Sequence, residues 1–99
     1  MFKQLDPLLH SELRLAIISL LVGAKEAEFK ELKEKTGATA GNLSVQVQKL
    51  SDAGYISVEK SFKGKYPLTT CKMTQTGLKA FDQYVAALKE YLKPGNNLT

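Results

Sequence analysis

Three side-chain amides, Asn42, Gln46 and Gln48, stand close together in the segment Thr39-Ala40-Gly41-Asn42-Leu43-Ser44-Val45-Gln46-Val47-Gln48-Lys49. A carboxamide carries a donor and an acceptor side by side, the pattern that pairs bidentately with adenine in the major groove of a duplex. Each good pair is worth about 1–3 kcal/mol of discrimination against the wrong base. Thr39, Ala40, Ser44 and Val45 around them are small or uncharged, and Lys49 is suited to a phosphate oxygen. A second cluster, Lys60, Lys63, Gly64, Lys65 and Tyr66, offers three ammonium groups for phosphate and a phenol that can stack or donate to it.

Other chemistries find little support. Cys71 is the only cysteine and His10 the only histidine, so no internal disulfide and no nitrogen-and-sulfur zinc cluster can form within one chain. Cys71 reads as a small buried apolar residue, and His10 as a packing or capping residue rather than a pH sensor. No nucleophile with a paired base, phosphate-cradling glycine loop or isolated carboxylate cluster stands out, which argues against an enzyme. No metal or cofactor is expected. The longest apolar run, Leu15 to Val22 broken by Ser19, is far shorter than a membrane span of about 20 residues. No secretory leader is visible at Met1-Phe2-Lys3-Gln4-Leu5-Asp6, so a cytoplasmic location is the expectation.

The elements that must position the two clusters follow from periodicity. Leu43, Val47 and Leu50 recur at four- and three-residue steps, which predicts a helix capped by Thr39, closed by Gly54, and turning its amides away from the core. Before it, Asp6-Pro7 predicts a capped turn, and Ser11 a cap for a first helix over about 12–22 that Gly23 ends. That helix is apolar around most of its circumference, as a central helix or a dimer contact would be. A second helix is expected over about 28–35, with Phe29 and Leu32 inward and Gly37 at its left-handed end.

After Gly54 the period becomes two. Ile56, Val58 and Phe62 predict a strand with one buried face, Phe62 to Pro67 a turn, and Thr69, Cys71 and Met73 a returning strand, so that lysines crown a hairpin. Thr74 then caps a last helix whose Leu78, Phe81, Val85, Leu88 and Leu92 repeat close to a heptad, widened by Tyr84, Ala87 and Tyr91. One stripe can pack on the domain and the other on a second copy. The dimer contact is accordingly expected from Leu78, Phe81, Tyr84, Val85, Leu88, Tyr91 and Leu92, with Leu5, Leu8 and Leu9 of the N-terminal arm. Ninety-nine residues suit one domain over 1–99, divided into an arm (1–10), a core (11–73), a C-terminal helix (74–93) and a frayed tail (94–99).

The net charge of +4 is modest, but its placement is uneven. From Ala38 to Met73 the bases are Lys49, Lys60, Lys63, Lys65 and Lys72, against only Asp52 and Glu59. Between Lys25 and Lys35 lysines and glutamates alternate, the pattern of a solvated helix face. The positive excess therefore falls on the two clusters.

With three helices, a hairpin and a final helix in this order, the chain resembles the short, single-domain winged helix-turn-helix transcriptional regulators of the MarR/ArsR-like type. The likeness is carried by Leu9-His10-Ser11-Glu12-Leu13-Arg14-Leu15-Ala16-Ile17, Phe29-Lys30-Glu31-Leu32-Lys33 and Gly41-Asn42-Leu43-Ser44. It continues in Lys49 to Ile56, Phe62 to Thr70 and Met73-Thr74-Gln75-Thr76-Gly77. The resemblance implies an α+β, mainly α winged helix: a three-helix helix-turn-helix core, a two-stranded β-hairpin wing and a C-terminal dimerisation helix. It implies a dimer that lays its third helix in the major groove of double-stranded DNA and its wing along the backbone. Thr39, Ala40, Asn42, Ser44, Val45, Gln46, Gln48 and Lys49 then fall on the recognition helix, and Lys60, Lys63, Gly64, Lys65 and Tyr66 on the wing. Such wings often carry arginine, whereas the only arginine here is Arg14 in helix one, so lysine–phosphate contact is expected instead. The alternative reading is a winged helix that binds a protein partner and not DNA. A small effector, if one exists, would have to fit between protomers or between the first and last helices.

Overall fold

The computed structural model describes residues 2–93; the expected frayed tail lies outside the described residues. The elements are α1 (Glu12–Ala24), β1 (Glu26–Glu28), α2 (Phe29–Thr36), α3 (Ala40–Asp52), β2 (Ile56–Lys63), β3 (Tyr66–Met73) and α4 (Gln75–Leu92). This is the expected winged helix, with β2 and β3 as its two-stranded hairpin wing; a short strand the sequence reading lacked, β1, extends the antiparallel sheet to three in the order β1-β3-β2. β1 pairs Glu26, Ala27 and Glu28 with Lys72, Cys71 and Thr70. A three-residue, acid-rich strand carries no periodic signal of its own; it exists because β3 supplies a partner edge.

α1 is the central helix. Ile17, Ile18 and Leu21 are buried, Leu13, Leu15, Leu20 and Val22 pack partly against the core, and the helix touches α2, α3, α4, β1 and β3. Its end departs from expectation: Gly23 lies inside the helix, and the reversal falls at Lys25, which adopts φ 71°. The Lys25 carbonyl accepts from Met73 N at 2.9 Å, so pairing with the β3–α4 corner stops the helix where glycine does not. Ser11 occupies the N-cap position without a side-chain bond, whereas Asp6 Oδ1 does accept from Leu8 N at 2.9 Å.

α2 and α3 form the helix-turn-helix. Gly37 closes α2 in the left-handed region at φ 72°, and Thr39 Oγ1 caps α3 by accepting from Asn42 N at 3.2 Å. Leu32, Leu43, Val47 and Leu50 seal this pair onto α1.

The wing is longer than the sequence implied, because the residues read as a turn are mostly strand. β2 and β3 pair from Ile56↔Met73 out to Lys63↔Tyr66, leaving only Gly64 and Lys65 to turn. Gly64 has φ +64° and Lys65 does not share the positive sign, the pattern of a type II′ hairpin with glycine first. Pro67 sits in β3 opposite Phe62, beyond the end of β1, where no third strand needs an N–H from it. The buried face of β2 stops at Val58, and Phe62 is 76% exposed because the hairpin has by then left the core.

The start of α4 is locked to the end of α3. Thr74 Oγ1 donates to Gly54 O (2.6 Å) and accepts from Gly77 N (3.0 Å), while Thr74 N donates to Tyr55 O. Gly77, Tyr84 and Ala87 face the domain. The radius of gyration, 15.5 Å, exceeds the roughly 13 Å of a compact chain of this length, and the longest extent is 62 Å.

Candidate nucleic-acid interface

α3 turns three residues in and most of the rest out. Leu43, Val47 and Leu50 are buried, whereas Ala40, Asn42, Ser44, Val45, Gln48 and Lys49 are exposed, as is the cap Thr39. Gln46 differs from its neighbours in being half-buried. Arg14 of α1 donates from Nε to Leu8 O at 2.6 Å and from Nη1 to Gln46 Oε1, and Gln46 Nε2 donates on to Asn42 Oδ1 at 3.1 Å. Gln48 Nε2 donates to Asp52 Oδ1 at 2.7 Å, so this acid sits among the outward polar groups. Periodicity alone could not show that Arg14 reaches α3, since its place depends on how α1 crosses that helix. Its being the only arginine was the available signal.

On the wing, Lys60, Lys63, Gly64, Lys65 and Tyr66 are all exposed. The register puts Lys63 and Tyr66 on one face of the ribbon and Lys60 and Phe62 on the other, with Lys65 at the tip. Lys72 leaves the basic set: its Nζ lies 3.0 Å from Glu59 Oε2 and 3.7 Å from Glu26 Oε2. The hydrogen bond and charge of Glu59, seconded by the charge of Glu26, push the Lys72 pKa up. Among the described residues Lys49, Lys60, Lys63 and Lys65 form no ion pair, which leaves their charges available to an external anion.

The residues assigned to a dimer contact divide. Leu9 is fully buried and Tyr84 is 4% exposed, both in the chain's own core, and Leu5, Leu8, Phe81 and Leu88 pack partly against it. Tyr84 Oη also meets His10 Nδ1 at 3.0 Å, which gives His10 a packing partner. Leu9 and Tyr84 thus have no face to offer a second copy, because folding has already used them. Leu78, Tyr91 and Leu92 remain exposed and Val85 half-buried. Cys71 is buried in the core, and burial pushes its thiol pKa up, so it stays protonated and inert. A groove of about 750 Å³ opens between the start of α2 and the wing, over Phe29, Lys30, Tyr66, Pro67 and Leu68, and not between α1 and α4.

An outward polar helix behind a tight turn, followed by a lysine-tipped hairpin, matches a known family model, described as a winged helix DNA-binding domain, over residues 13–92. The chain belongs to this winged-helix family. An uncharacterized protein of Methanocaldococcus jannaschii is 36% identical over 85 residues, covering 85% of this chain and 91% of its own length. Among solved structures, a transcriptional regulator homologue from Pyrococcus horikoshii superposes with a TM-score of 0.83 at 23% identity, over 88% of this chain and 86% of that one. A mutant MarR from E. coli, complexed with operator DNA, gives 0.66 at 20% identity, over 87% and 67%. Both likenesses establish the winged-helix fold. No helix among the described residues is long and apolar enough to cross a membrane.

Proposed function

We propose that this winged helix is a homodimeric transcriptional regulator that binds double-stranded DNA sequence-specifically. α3 enters the major groove, and the wing lysines run along the flanking backbone. The observation that carries this reading is the pairing, within one family member, of an exposed amide- and hydroxyl-bearing helix face with four lysines free of ion pairs. Polar uncharged groups on a capped helix suit base edges, and ammonium groups on a mobile stem suit phosphates. Asn42 and Gln48 are the outward amides; Ala40 and Gly41 permit close approach of the α3 backbone to the groove.

Dimerisation rests on the part of α4 that the core leaves uncovered. Leu78, Val85 and Leu92 form a stripe beside the buried Gly77–Tyr84–Ala87 stripe, and a second copy would cover it. A two-fold pair would present two α3 helices to half-sites about one turn of DNA apart.

Selection of bound fragments from random duplex DNA at a stated salt concentration tests the proposal. A two-fold-symmetric motif is the expected result. Retention of no duplex, with binding only to a protein, would replace it by the adaptor reading.

A further inference from the structure

Arg14 sits in α1, outside the helix-turn-helix and the wing, and yet its guanidinium ends at the recognition helix. We propose that Arg14 and Gln46 are positioning residues that fix the side-chain amide of Asn42 as a hydrogen-bond donor, so that the base it reads is guanine. The proposal rests on the DNA-binding reading above and names the base class that this part of α3 selects.

The argument is one of donor and acceptor inventory. A guanidinium has five N–H donors and no acceptor, so the atom of Gln46 that faces Arg14 must be Oε1, which fixes the amide's orientation. Arg14 is itself held by Leu8 O at 2.6 Å and is half-buried, so it does not swing freely. With Oε1 turned to Arg14, Gln46 can offer Asn42 only its amino group, and Nε2 donates to Asn42 Oδ1 at 3.1 Å. The orientation therefore propagates: Asn42 Oδ1 is the acceptor in that bond, and its two Nδ2 protons have no partner among the described residues. Asn42 is exposed and its backbone N–H is already engaged by the Thr39 cap, so Nδ2 carries its unused donors.

An asparagine free to turn matches adenine, because it accepts from N6 while donating to N7. An asparagine whose oxygen already accepts from Gln46 keeps both amino protons and one lone pair, and turning that oxygen to adenine N6 would strain or break the bond to Gln46, so donation is favoured. In the major groove only guanine sets two acceptors, O6 and N7, side by side. The Arg14–Gln46–Asn42 chain thus exchanges adenine preference for guanine preference without either positioning residue touching the base.

The test compares sequence preferences of wild type, Asn42→Ala, Arg14→Lys and Gln46→Glu by selection from random duplex DNA. Lysine keeps the charge but cannot span Leu8 O and Gln46 Oε1 together. Glutamate keeps an acceptor for Arg14 but cannot donate to Asn42, and it preserves the fold if Arg14 substitutions do not. The expected result is a guanine in each half-site whose preference, about fivefold or more, disappears in Asn42→Ala and falls to parity with adenine in Arg14→Lys and Gln46→Glu. A purely structural role for Arg14 would instead lower affinity for all sequences and leave that position unchanged, which would overturn the inference while leaving the DNA-binding reading intact. Adenine at the Asn42-dependent position in wild type would overturn it equally. Failure of wild type to bind duplex DNA would remove both readings.

Discussion

The Tyr55 hydroxyl donates to Asp6 Oδ2 at 2.6 Å, joining the first residue after the α3 turn to the N-terminal arm. The same tyrosine's backbone carbonyl receives Thr74 N, so the arm, the end of α3 and the start of α4 meet at one residue. The hydrogen bond to Asp6 comes first, then burial and the carboxylate's charge, in pushing the Tyr55 pKa from 10.0 up to about 12. The folded state therefore holds this proton more tightly than the unfolded chain.

That linkage predicts an alkaline weakness. Stability from this contact is fully present below pH 10, and it declines between pH 10 and 12 as the unfolded chain, but not the folded one, releases the proton. Urea unfolding across this window should show a steeper loss in wild type than in Tyr55→Phe, whose curve starts lower. Parallel curves would contradict it.

Gly77 is required by contact and not by backbone angle. A Cβ there would lie 2.0 Å from Tyr55 O and 2.9 Å from Met73 Sδ, because the first turn of α4 presses directly on the Tyr55 backbone just ahead of β2. Gly77→Ala should cost about 1–3 kcal/mol in spite of alanine's better helix propensity. A thermal melt unchanged or raised would show that α4 can move away at little cost.

Much of this architecture was legible because it is local. The caps at Thr39, Gly37 and Thr74 bond Asn42, Lys33 and Gly77, three or four positions away, and the Leu43–Val47–Leu50 spacing needs only one helix to be read. What escaped depends on partners distant in sequence. β1 forms only against β3, α1 overruns Gly23 until Lys25 meets Met73, and Arg14 reaches Gln46 only once α1 and α3 have packed. Alternation puts Phe62 on the same side of β2 as Ile56 and Val58, but it does not show how far along a strand the core extends.

Lys25 makes the complementary prediction. A non-glycine residue at φ 71° pays a steric penalty that glycine escapes, so Lys25→Gly should stabilise the fold by about 1 kcal/mol. Chemical denaturation measures this directly. Destabilisation would mean that the lysine side chain contributes more than its backbone strain.

Charge placed on the uncovered stripe of α4 should separate protomers. Leu78→Glu together with Leu92→Glu leaves the buried Gly77–Tyr84–Ala87 contact intact and should shift sedimentation from twice the 10.9 kDa chain mass to one chain. DNA affinity should fall with it, since two half-sites no longer act together. A wild type sedimenting as a monomer at micromolar concentration would refute the dimer.

The salt dependence of binding to a selected duplex tests the central claim most directly. With Lys49, Lys63 and Lys65 of both protomers on phosphates, about six contacts give a log–log slope near −5 in wild type. Charge reversal at Lys63 and Lys65 should make the slope shallower and weaken all sequences alike, leaving base preferences in place. A wild-type slope near zero, or one indifferent to those reversals, would contradict the claim that this wing grips the DNA backbone while α3 reads the groove.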